Sequence, residues 1–536
     1  MKKILLTLII ILPNLSISQE KPRLVVGIVV DQMRYDYISR FYEDFEEGGF
    51  KRLINDGFLF RNAHYDYMPT KTGPGHASIY TGTTPSRHGI IGNDWYATSI
   101  NQKINCVYDS AASVVGGESN GEVSPRNVNA TTITDELRLF YNFNSKVVGV
   151  SLKDRGAAIP AGHNPTGAYW YDLKSGNIIT STYYRNELPE WVKNYNSKNR
   201  PLVFLSKKWT LFKDEGSYNE SIADDNPYEQ ELRKGMGVSF PHDLPKFKND
   251  MSLLKYTPFT NTMIKEVSME AVTGEELGQD TIPDFLTVSF SATDDVGHRF
   301  GPRSKEIQDT YLRLDNDISE LLSFLDESVG EGNYTVFLSA DHGATDVPSY
   351  MYKNKMPGGY HNNGYIKSML GDKLTDTFGD GEWVEYLINE QVYLNKALIE
   401  KKKLSLDEVK QVVIDALMEE DFIVDAIDAD EVKMRMYTDP MLARLQNGYH
   451  NKRSGDILYI LTPSTLNDAW GRQGTDHRTP YTYDTHIPII FYGAGIKTGS
   501  SVRKVAITDI APTLSMLLNI SLPSMADGEP LAELFE

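Results

Sequence analysis

The sequence predicts an α/β fold in which helices flank a central, mostly parallel β-sheet. Several runs of apolar, β-branched residues are continuous rather than alternating, as in strands that are buried on both faces of a parallel sheet. Helical patterns separate these runs along the chain, which favours an α/β arrangement. Polar residues directly follow three of the runs, at the edge where open α/β sheets bind ligands.

Four segments are predicted to be strands of the central sheet: residues 24–30 (LVVGIVV), 284–290 (DFLTVSF), 334–338 (YTVFL) and 487–492 (IPIIFY). An amphipathic helix is predicted over residues 307–325. The chain of 536 residues is long enough for several domains or for one large core with insertions. We expect the second arrangement.

Two stretches fit the core pattern less well and are predicted to be cap insertions, at about residues 164–280 and 348–469. The second stretch contains a predicted helix, in which Ser405 and Glu408 match a capping box. Its apolar stripe is formed by Val409, Val412, Val413, Ala416 and Leu417.

The N-terminus has the pattern of a secretory signal peptide. Lys2 and Lys3 precede an apolar run at residues 5–13, and small residues follow at Ser16 and Ser18. We expect cleavage after Ser18, which leaves residues 19–536 as the mature, periplasmic or secreted chain. A membrane anchor is the alternative, but the run is too short to span a bilayer.

Charge and cysteine content restrict the partners. The net charge is −19, and loss of the two signal lysines makes it −21. A field of this sign repels nucleic acid, so no nucleic-acid partner is expected. The single cysteine, Cys106, excludes an internal disulfide. No further segment has the pattern of a membrane span, and we expect a monomer.

Six carboxylate and imidazole groups are candidate metal ligands: Asp31, Asp294, His298, Asp341, His342 and His477. Asp31, Asp294 and the pair Asp341–His342 each follow a predicted central strand. Each residue alone is ordinary, but together they lie at one predicted sheet edge. Carboxylate oxygen and imidazole nitrogen suit zinc, and a catalytic zinc takes about three protein ligands. Six ligands therefore fit two zinc ions.

A candidate nucleophile lies in residues 69–76 (PTKTGPGH), directly before a predicted helix start at residues 77–82. A hydroxyl at this position would meet backbone N–H groups and the positive end of the helix dipole. Coordination to zinc would favour the alkoxide of a threonine. The alternative is that Thr70 and Thr72 only cap the helix.

Three motifs occur together and in order: residues 72–76 (TGPGH), 86–93 (SRHGIIGN) and 339–343 (SADHG). They resemble the alkaline phosphatase superfamily, in particular its branch of nucleotide pyrophosphatase/phosphodiesterases and PafA-type phosphate-irrepressible alkaline phosphatases. The resemblance extends from Asp31 to the helix near Thr508 and so covers most of the chain. It implies an alkaline-phosphatase-like sheet with helices on both faces.

The resemblance also implies roles for individual residues. Thr72 matches the nucleophile, which also coordinates metal, and Asn93 matches an asparagine that hydrogen-bonds a non-bridging phosphate oxygen. The zinc beside the nucleophile would be held by Asp31, Asp341 and His342. The zinc beside the leaving group would be held by Asp294, His298 and His477.

His486 competes with His477 for the last position. In the family the ligand lies in a loop before the last core strand and is usually followed by glycine, whereas Arg478 follows here. His486 directly abuts the predicted strand, so we favour His477.

Lys153 and Arg155 distinguish branches of the family, because PafA-type monoesterases share this Lys-x-Arg pattern. If extended, the two side chains would point the same way. They could then bind the extra negative charge of a phosphate monoester. The alternative is a solvated surface pair.

The sequence thus predicts an exported, two-zinc alkaline phosphatase that hydrolyses small phosphate monoesters through a phosphothreonine intermediate. A type I phosphodiesterase or nucleotide pyrophosphatase is the alternative. A sulfatase would need a nucleophile in a C/S-x-P-x-R context, which Cys106 does not have. A non-enzymatic binding protein would be expected to lack site residues, and all of them are present.

Overall fold

The structure is a computed structural model that describes residues 21–535, so the predicted signal peptide lies outside the described residues. The predicted fold class is confirmed: helices flank a large central mixed sheet. Among the described residues, no helix is both long and apolar enough to cross a bilayer.

The strands are numbered here in chain order. They are β1 (Leu24–Val30), β2 (Phe58–His64), β3 (Asp94–Ala97), β4 (Gln102–Asn105), β5 (Val114–Val115), β6 (Val147–Ser151), β7 (Gly167–Tyr171), β8 (Ile178–Ser181), β9 (Asp284–Phe290), β10 (Tyr334–Ser339), β11 (Gly359–His361), β12 (Val384–Ile388), β13 (Gln391–Leu394), β14 (Ile423–Asp428), β15 (Ile457–Leu461), β16 (Thr465–Asn467), β17 (His486–Gly493), β18 (Gly499–Ser501) and β19 (Val505–Ala506).

The α-helices are numbered in the same way. They are α1 (Asp36–Arg40), α2 (Phe50–Asp56), α3 (Thr72–Thr81), α4 (Pro85–His88), α5 (Ile133–Phe140), α6 (Asp154–Ala161), α7 (Glu190–Ser197), α8 (Arg200–Leu205), α9 (Phe259–Gly274), α10 (Ala292–Phe300), α11 (Lys305–Leu325), α12 (Pro348–Lys353), α13 (Asn363–Phe378), α14 (Lys396–Lys402), α15 (Leu406–Met418), α16 (Ala429–Met434), α17 (Pro440–Gly448), α18 (Thr482–Thr485) and α19 (Ile510–Leu518).

The central sheet has the strand order β18-β2-β17-β10-β1-β9-β6-β7-β8-β5, with β19 also paired to β2. Its middle strands β10, β1, β9, β6 and β7 are parallel to one another. β17 runs antiparallel to both of its neighbours, β10 and β2. The start of β17 therefore lies at the sheet edge where the parallel strands end.

The predicted strands match the observed ones closely. β1 and β9 have the predicted bounds, β10 extends one residue further, and β17 extends one residue at each end. Every residue of β1 and β9 is buried. The continuous apolar pattern arises because helices cover both faces of the sheet.

The stretch at 348–469 forms a second, four-stranded sheet in the order β12-β13-β15-β14, with its own hydrophobic core. α15 packs its predicted stripe into this core. The predicted capping box is wrong: Ser405 occupies the N-cap position of α15, but its side chain makes no capping hydrogen bond.

The stretch at 164–280 is joined closely to the main core. β7 and β8 extend the central sheet, and α9 packs against β9 and α11. Short strands and irregular backbone fill much of the rest, which explains the weak periodicity of its sequence. The division of the chain into one catalytic unit with two insertions stays a prediction.

Candidate active site

The candidate ligands meet at one edge of the central sheet. β10, β1 and β9 lie side by side and are parallel, so their carboxyl ends coincide. Asp31 follows β1, Asp341 and His342 follow β10, and Asp294 lies in the first turn of α10 after β9. His477 lies in the loop that leads to the start of β17, and the antiparallel direction of β17 brings this loop to the same edge.

Asp31, Asp341 and His342 form the first cluster, in which one potential ligand atom of each lies within 4.8 Å of the others. All three side chains are fully buried. His342 Nδ1 lies 3.0 Å from the carbonyl oxygen of Gly343, which leaves Nε2 to face Asp31 Oδ1 at 3.4 Å. The two aspartates and the imidazole therefore converge.

The electrostatics of the first cluster are unfavourable without a cation. Burial, together with the charge of Asp294, raises the pKa of Asp31 to about 6. Burial and the charge of Asp31 raise the pKa of Asp341 well above its ordinary value. Burial lowers the pKa of His342 well below its usual range, so the imidazole is neutral. A neutral imidazole and close carboxylates are the form in which these residues bind metal.

Asp294, His298 and His477 form the second cluster, with potential ligand atoms again within 4.8 Å of one another. Asp294 and His298 are four residues apart on α10 and so share a face. The Nε2 atoms of His298 and His477 lie 3.1 Å and 3.6 Å from Asp294 Oδ1. Their Nδ1 atoms lie 2.7 Å from the carbonyl of Thr475 and 2.6 Å from that of Thr70.

This geometry fits a metal ion in each cluster. Each histidine donates Nδ1–H to a backbone carbonyl, which fixes the tautomer and leaves the Nε2 lone pair toward the cluster. Asp31 Oδ1, Asp341 Oδ2 and His342 Nε2 are buried without a hydrogen-bond partner. Buried polar atoms are normally paired, so acceptors that converge without a donor indicate a cation site. Oxygen and nitrogen ligands of this kind suit zinc.

Burial would lower the pKa of His298, but the charge of Asp294 raises it to about 9. Burial would raise the pKa of Asp294, but the charges of His298 and Lys153 hold it well below its ordinary value. Burial lowers the pKa of His477 to about 3. Without a metal ion, the second cluster thus contains an Asp294–His298 ion pair and one neutral imidazole, and a metal ion would bind His298 Nε2 in place of its proton.

Thr72 is the first residue of α3 and is buried, and its Oγ1 has no hydrogen-bond partner. The helix begins five residues earlier than the Ala77 start that the sequence predicts. Pro74 is tolerated because the first turn of a helix does not need its N–H. The hydroxyl of Thr72 therefore lies at the helix N-terminus, where the positive end of the helix dipole favours an anion.

Gly75 and His76 place the start of α3 against the first cluster. A Cβ atom on Gly75 would lie 2.4 Å from the backbone oxygen of Asp341, so this contact requires glycine. His76 Nδ1 donates to the carbonyl of Thr72 at 2.9 Å and lies 3.4 Å from Asp341 Oδ2. The sequence analysis gave no role to His76, although it belongs to the TGPGH motif.

An open cavity of about 370 Å³ lies above the second cluster. It is lined by Asn93, Lys153 and Arg155 together with the cluster itself. Asn93 Oδ1 accepts a hydrogen bond from the N–H of Gly73 at 2.7 Å, and its amide NH₂ takes no part in this bond. The sequence-predicted phosphate-binding residues are thus brought together with metal-ligand candidates.

Lys153 and Arg155 reach the site from the start of a helix, and only Lys153 has extended backbone angles. Lys153 is the N-cap of α6, and Arg155 lies in the first turn of that helix. Lys153 Nζ lies 2.7 Å from Asp31 Oδ2 and 2.5 Å from Asp294 Oδ2, so it contacts one carboxylate of each cluster. Arg155 lines the cavity and contacts Asp154 at 3.5 Å. A helix start, rather than a strand, directs both side chains to the site.

His486 lies outside both clusters. Its Nε2 lies 2.9 Å from the carbonyl of Arg61, and its ring stacks on Tyr35 and His64. The structure therefore places His477, and not His486, beside Asp294.

Besides His76, two residues that contact the site were not predicted from the sequence, Gln32 and Lys255. Gln32 donates its backbone N–H to Asp341 at 3.1 Å and its side-chain amide to Asp294 at 2.6 Å, so it joins the two clusters. Lys255 lines the cavity from the 164–280 stretch and pairs with Asp295 at 3.4 Å. The position of Gln32 directly after Asp31 was a usable signal, whereas nothing in the sequence near Lys255 indicates its location.

Comparisons with known proteins agree with this architecture. A family profile described as type I phosphodiesterase / nucleotide pyrophosphatase matches residues 25–480. The chain is 45% identical to alkaline phosphatase PafA of Elizabethkingia meningoseptica, covering 96% of this chain and 94% of that protein. It is 41% identical to alkaline phosphatase PhoV of Synechococcus elongatus, covering 96% and 93%. The crystal structure of wild-type PafA superposes with a TM-score of 0.94 at 44% identity, covering 96% of this chain and 99% of that chain.

The chain therefore belongs to the type I phosphodiesterase/nucleotide pyrophosphatase family. Within that family it is an enzyme of the alkaline phosphatase type, similar to PafA over nearly its whole length.

Proposed function

We propose that this chain is a two-zinc alkaline phosphatase that hydrolyses phosphate monoesters, with Thr72 as its nucleophile. The observation that carries the proposal is the juxtaposition of two buried three-residue ligand clusters with a helix N-terminus that presents an unpartnered hydroxyl. The similarity to alkaline phosphatases PafA and PhoV supports the same reaction.

The two clusters would each hold one zinc ion. Asp31, Asp341 and His342 would hold the ion beside the nucleophile, with Thr72 Oγ1 as a further ligand. Asp294, His298 and His477 would hold the ion beside the leaving group. When bound, such ions supply Lewis acidity that stabilises the alkoxide of threonine and the oxygen of the departing alcohol.

Thr72 would carry the covalent chemistry. Its Oγ1 loses a proton and forms a bond to phosphorus, while the bond between phosphorus and the ester oxygen breaks and the alcohol leaves. Water then cleaves the bond between Oγ1 and phosphorus, releases inorganic phosphate and restores the hydroxyl. The positive end of the α3 helix dipole favours negative charge at Thr72 in both steps.

Three polar side chains would bind the phosphoryl oxygens. Asn93 can donate through its amide NH₂, since its Oδ1 is used by Gly73. Arg155 and Lys153 line the same cavity and carry positive charge, which stabilises the transferred group where it is most negative. A monoester has one more ionised oxygen than a diester, so two cations at this position favour monoesters.

A phosphodiesterase is the second candidate, because the matching family profile is described by that activity. The two are distinguished by kcat/KM for phenyl phosphate and for methyl phenyl phosphate. We expect the monoester to be the better substrate by several orders of magnitude. A higher kcat/KM for the diester would contradict the monoesterase assignment and favour the phosphodiesterase.

We further propose that the enzyme is exported. The support is the positive, apolar and small-residue pattern of residues 1–18. Expression of the full chain in a Gram-negative host should release a periplasmic protein whose N-terminal residue is Gln19. A cytoplasmic protein that retains Lys2 and Lys3 would contradict this proposal.

A further inference from the structure

The residue after His477 has an unusual backbone conformation. Arg478 has a φ of 140°, in a region that residues with a Cβ rarely adopt and that favours glycine. A strained conformation of this kind persists only where the surroundings hold it. The residues that hold Arg478 therefore also determine where its neighbour His477 lies.

Arg478 is held by its side chain as well as by its backbone. Its Nε donates to the carbonyl of His477 at 3.0 Å, and its guanidinium also contacts Asp476. Its Nη1 lies 3.4 Å from Glu390 Oε1, and its backbone N–H donates to Asp484 at 3.0 Å. Asp476 belongs to the same loop as Arg478 and Asp484 to α18, which follows that loop, whereas Glu390 comes from the hairpin of the second sheet.

Asn389 and Glu390 form the tip of the hairpin between β12 and β13, and we call them the hairpin tip. Both residues have positive φ, 57° and 56°, as the two-residue turn of a tight hairpin requires. Glu390 is almost completely buried. The tip of an exposed hairpin would be solvated, so this tip is inserted into the protein.

Asn389 contacts the segments that carry Thr72 and Asn93. Its Oδ1 accepts from Lys71 Nζ at 2.9 Å, and Lys71 directly precedes Thr72. Its Nδ2 donates to the carbonyl of Asp94 at 2.8 Å. A Cβ atom on Gly92 would lie 2.4 Å from Asn389 Nδ2, so the tip packs directly on the backbone beside Asn93.

We infer that the hairpin tip positions the active site: Glu390 holds His477 through Arg478, and Asn389 holds the segments of Thr72 and Asn93. The inference deepens the proposed function, on which it rests. Asn389 and Glu390 are positioning residues, because they act through Lys71, Asp94 and Arg478. The second sheet thus contributes to catalysis through two adjacent residues, rather than only by covering the site.

The first test replaces Glu390 with Gln, which keeps the size of the side chain and removes its charge. We expect the second cluster, which contains His477, to bind zinc at least about 10-fold more weakly, while the affinity of the first cluster stays unchanged. Loss of an outer partner of a metal ligand typically weakens binding about 10- to 100-fold. Zinc affinity is measured by titration of the metal-free full chain, and the Tm is recorded in parallel. Glu385→Gln, in β12 of the same hairpin, is the matched control and should leave both zinc affinities unchanged.

The role of Arg478 is tested by making the Glu390→Gln substitution in an Arg478→Gly variant as well as in the wild type. Glycine adopts a φ of 140° without strain, so the loop no longer depends on its contact with Glu390. We expect Glu390→Gln to weaken zinc binding in the wild-type background and to have little effect in the Arg478→Gly background. An equal loss in both backgrounds would indicate a general effect of charge or folding and would overturn the inference, as would no loss in either. If Glu390→Gln does not fold, Glu390→Asp is used in the same cycle.

The second contact is tested by Asn389→Gly, which preserves the positive φ of the turn and removes the amide. We expect kcat for phenyl phosphate to fall about 10-fold, with a smaller loss of zinc affinity than in Glu390→Gln, because Asn389 contacts the segment of Thr72 whereas Glu390 acts on the loop of His477. An unchanged kcat would overturn this half of the inference. Failure of the proposed function is distinguishable, since the wild-type chain itself would then bind fewer than two zinc ions or fail to hydrolyse the monoester.

Discussion

At the scale of single residues, the site is defined by what each polar atom faces. His298, His342 and His477 all direct Nδ1 at a backbone carbonyl, so their Nε2 atoms point into the two clusters. Burial in the first cluster is unfavourable for ionised Asp31 and Asp341 even with Lys153 beside Asp31, since the pKa of each carboxyl is still raised. A bound metal removes this cost, and its binding free energy adds to the stability of the fold.

Arg155 should distinguish monoesters from diesters. It lines the cavity and does not contact either cluster, so its removal should leave the metal sites intact. We expect Arg155→Ala to lower kcat/KM for phenyl phosphate by about 10²-fold, the typical effect of losing one charge-stabilising donor. The value for methyl phenyl phosphate should change much less.

Arg126→Ala is the matched control for this prediction. Arg126 is well exposed and pairs with Asp109, away from the cavity. A loss of equal size on both substrates in Arg155→Ala would argue against recognition of the additional phosphate charge.

Most individual site residues could be predicted from the sequence because they follow strands with strong patterns. Asp31 and Asp341 are of this kind. His477 could be chosen over His486 only by resemblance, since the antiparallel direction of β17, which brings the loop of His477 to the site, has no local signal. Lys255 could not be predicted, because an irregular segment distant in sequence carries it to the cavity.

At the scale of elements, the start of α3 links Thr72 to the first cluster. Gly75 lies in the first turn and contacts the backbone of Asp341, so the helix can approach only if this position has no side chain. The sequence predicted a helix that begins at Ala77, because Gly-Pro-Gly is typical of a turn. Tertiary contact with the β10 edge overrides that local preference. Lys153 and Arg155 likewise lie at the start of a helix, α6, which follows closely after β6.

Gly75→Ala should therefore displace α3 from the first cluster. A Cβ at 2.4 Å from the oxygen of Asp341 cannot be accommodated without movement of backbone. We expect kcat to fall by at least about 10-fold, and the Tm to fall by about 1–3 °C for a cost of about 1–3 kcal/mol. Steady-state kinetics and thermal unfolding of the purified variant provide the measurement.

Gly371→Ala is the control, because Gly371 lies within α13 and a Cβ there meets no atom within 4 Å. Alanine favours a helix over glycine, so its Tm should be equal to or higher than that of the wild type. Wild-type activity in Gly75→Ala would show that the close contact does not position Thr72.

At the scale of the whole molecule, carboxyl groups outside the two ligand clusters are also buried. Glu229 is nearly inaccessible, and its Oε1 accepts from Asn226 at 2.7 Å. Burial raises its pKa from 4.5 to about 8 in the folded state. The folded protein thus keeps this proton over a pH range in which the unfolded chain loses it. The contribution of Glu229 to stability therefore falls as the pH rises from about 4.5 to about 8.

Glu229→Gln should reduce this loss of stability, because glutamine resembles the protonated acid at every pH. Relative to the wild type, we expect the Tm of the variant to be similar or lower at pH 5 and higher at pH 9. Thermal unfolding at the two pH values measures the difference. The exposed neighbour Glu231→Gln controls for the removal of one negative charge. A difference in Tm that is the same at both pH values would contradict the assignment.

The overall architecture could be predicted from the sequence because the central strands carry continuous apolar runs. The stretch at 164–280 was harder to predict. Its strands β7 and β8 join the central sheet, but irregular segments surround them in the sequence. The second sheet could not be predicted as an active-site element. Its hairpin tip reaches the site through Asn389 and Glu390, and the sequence places nearly 300 residues between them and Asp94.

Replacement of Thr72 by Ala tests the central claim most directly. The account predicts that Thr72→Ala binds two zinc ions per chain, with Asp31, Asp294 and the four other ligands intact, but hydrolyses phenyl phosphate at least about 10³-fold more slowly than the wild type. Acid quenching of the wild type during turnover should yield phosphate on the peptide that contains Thr72. A Thr72→Ala variant whose kcat lies within 10-fold of the wild-type value would contradict the account.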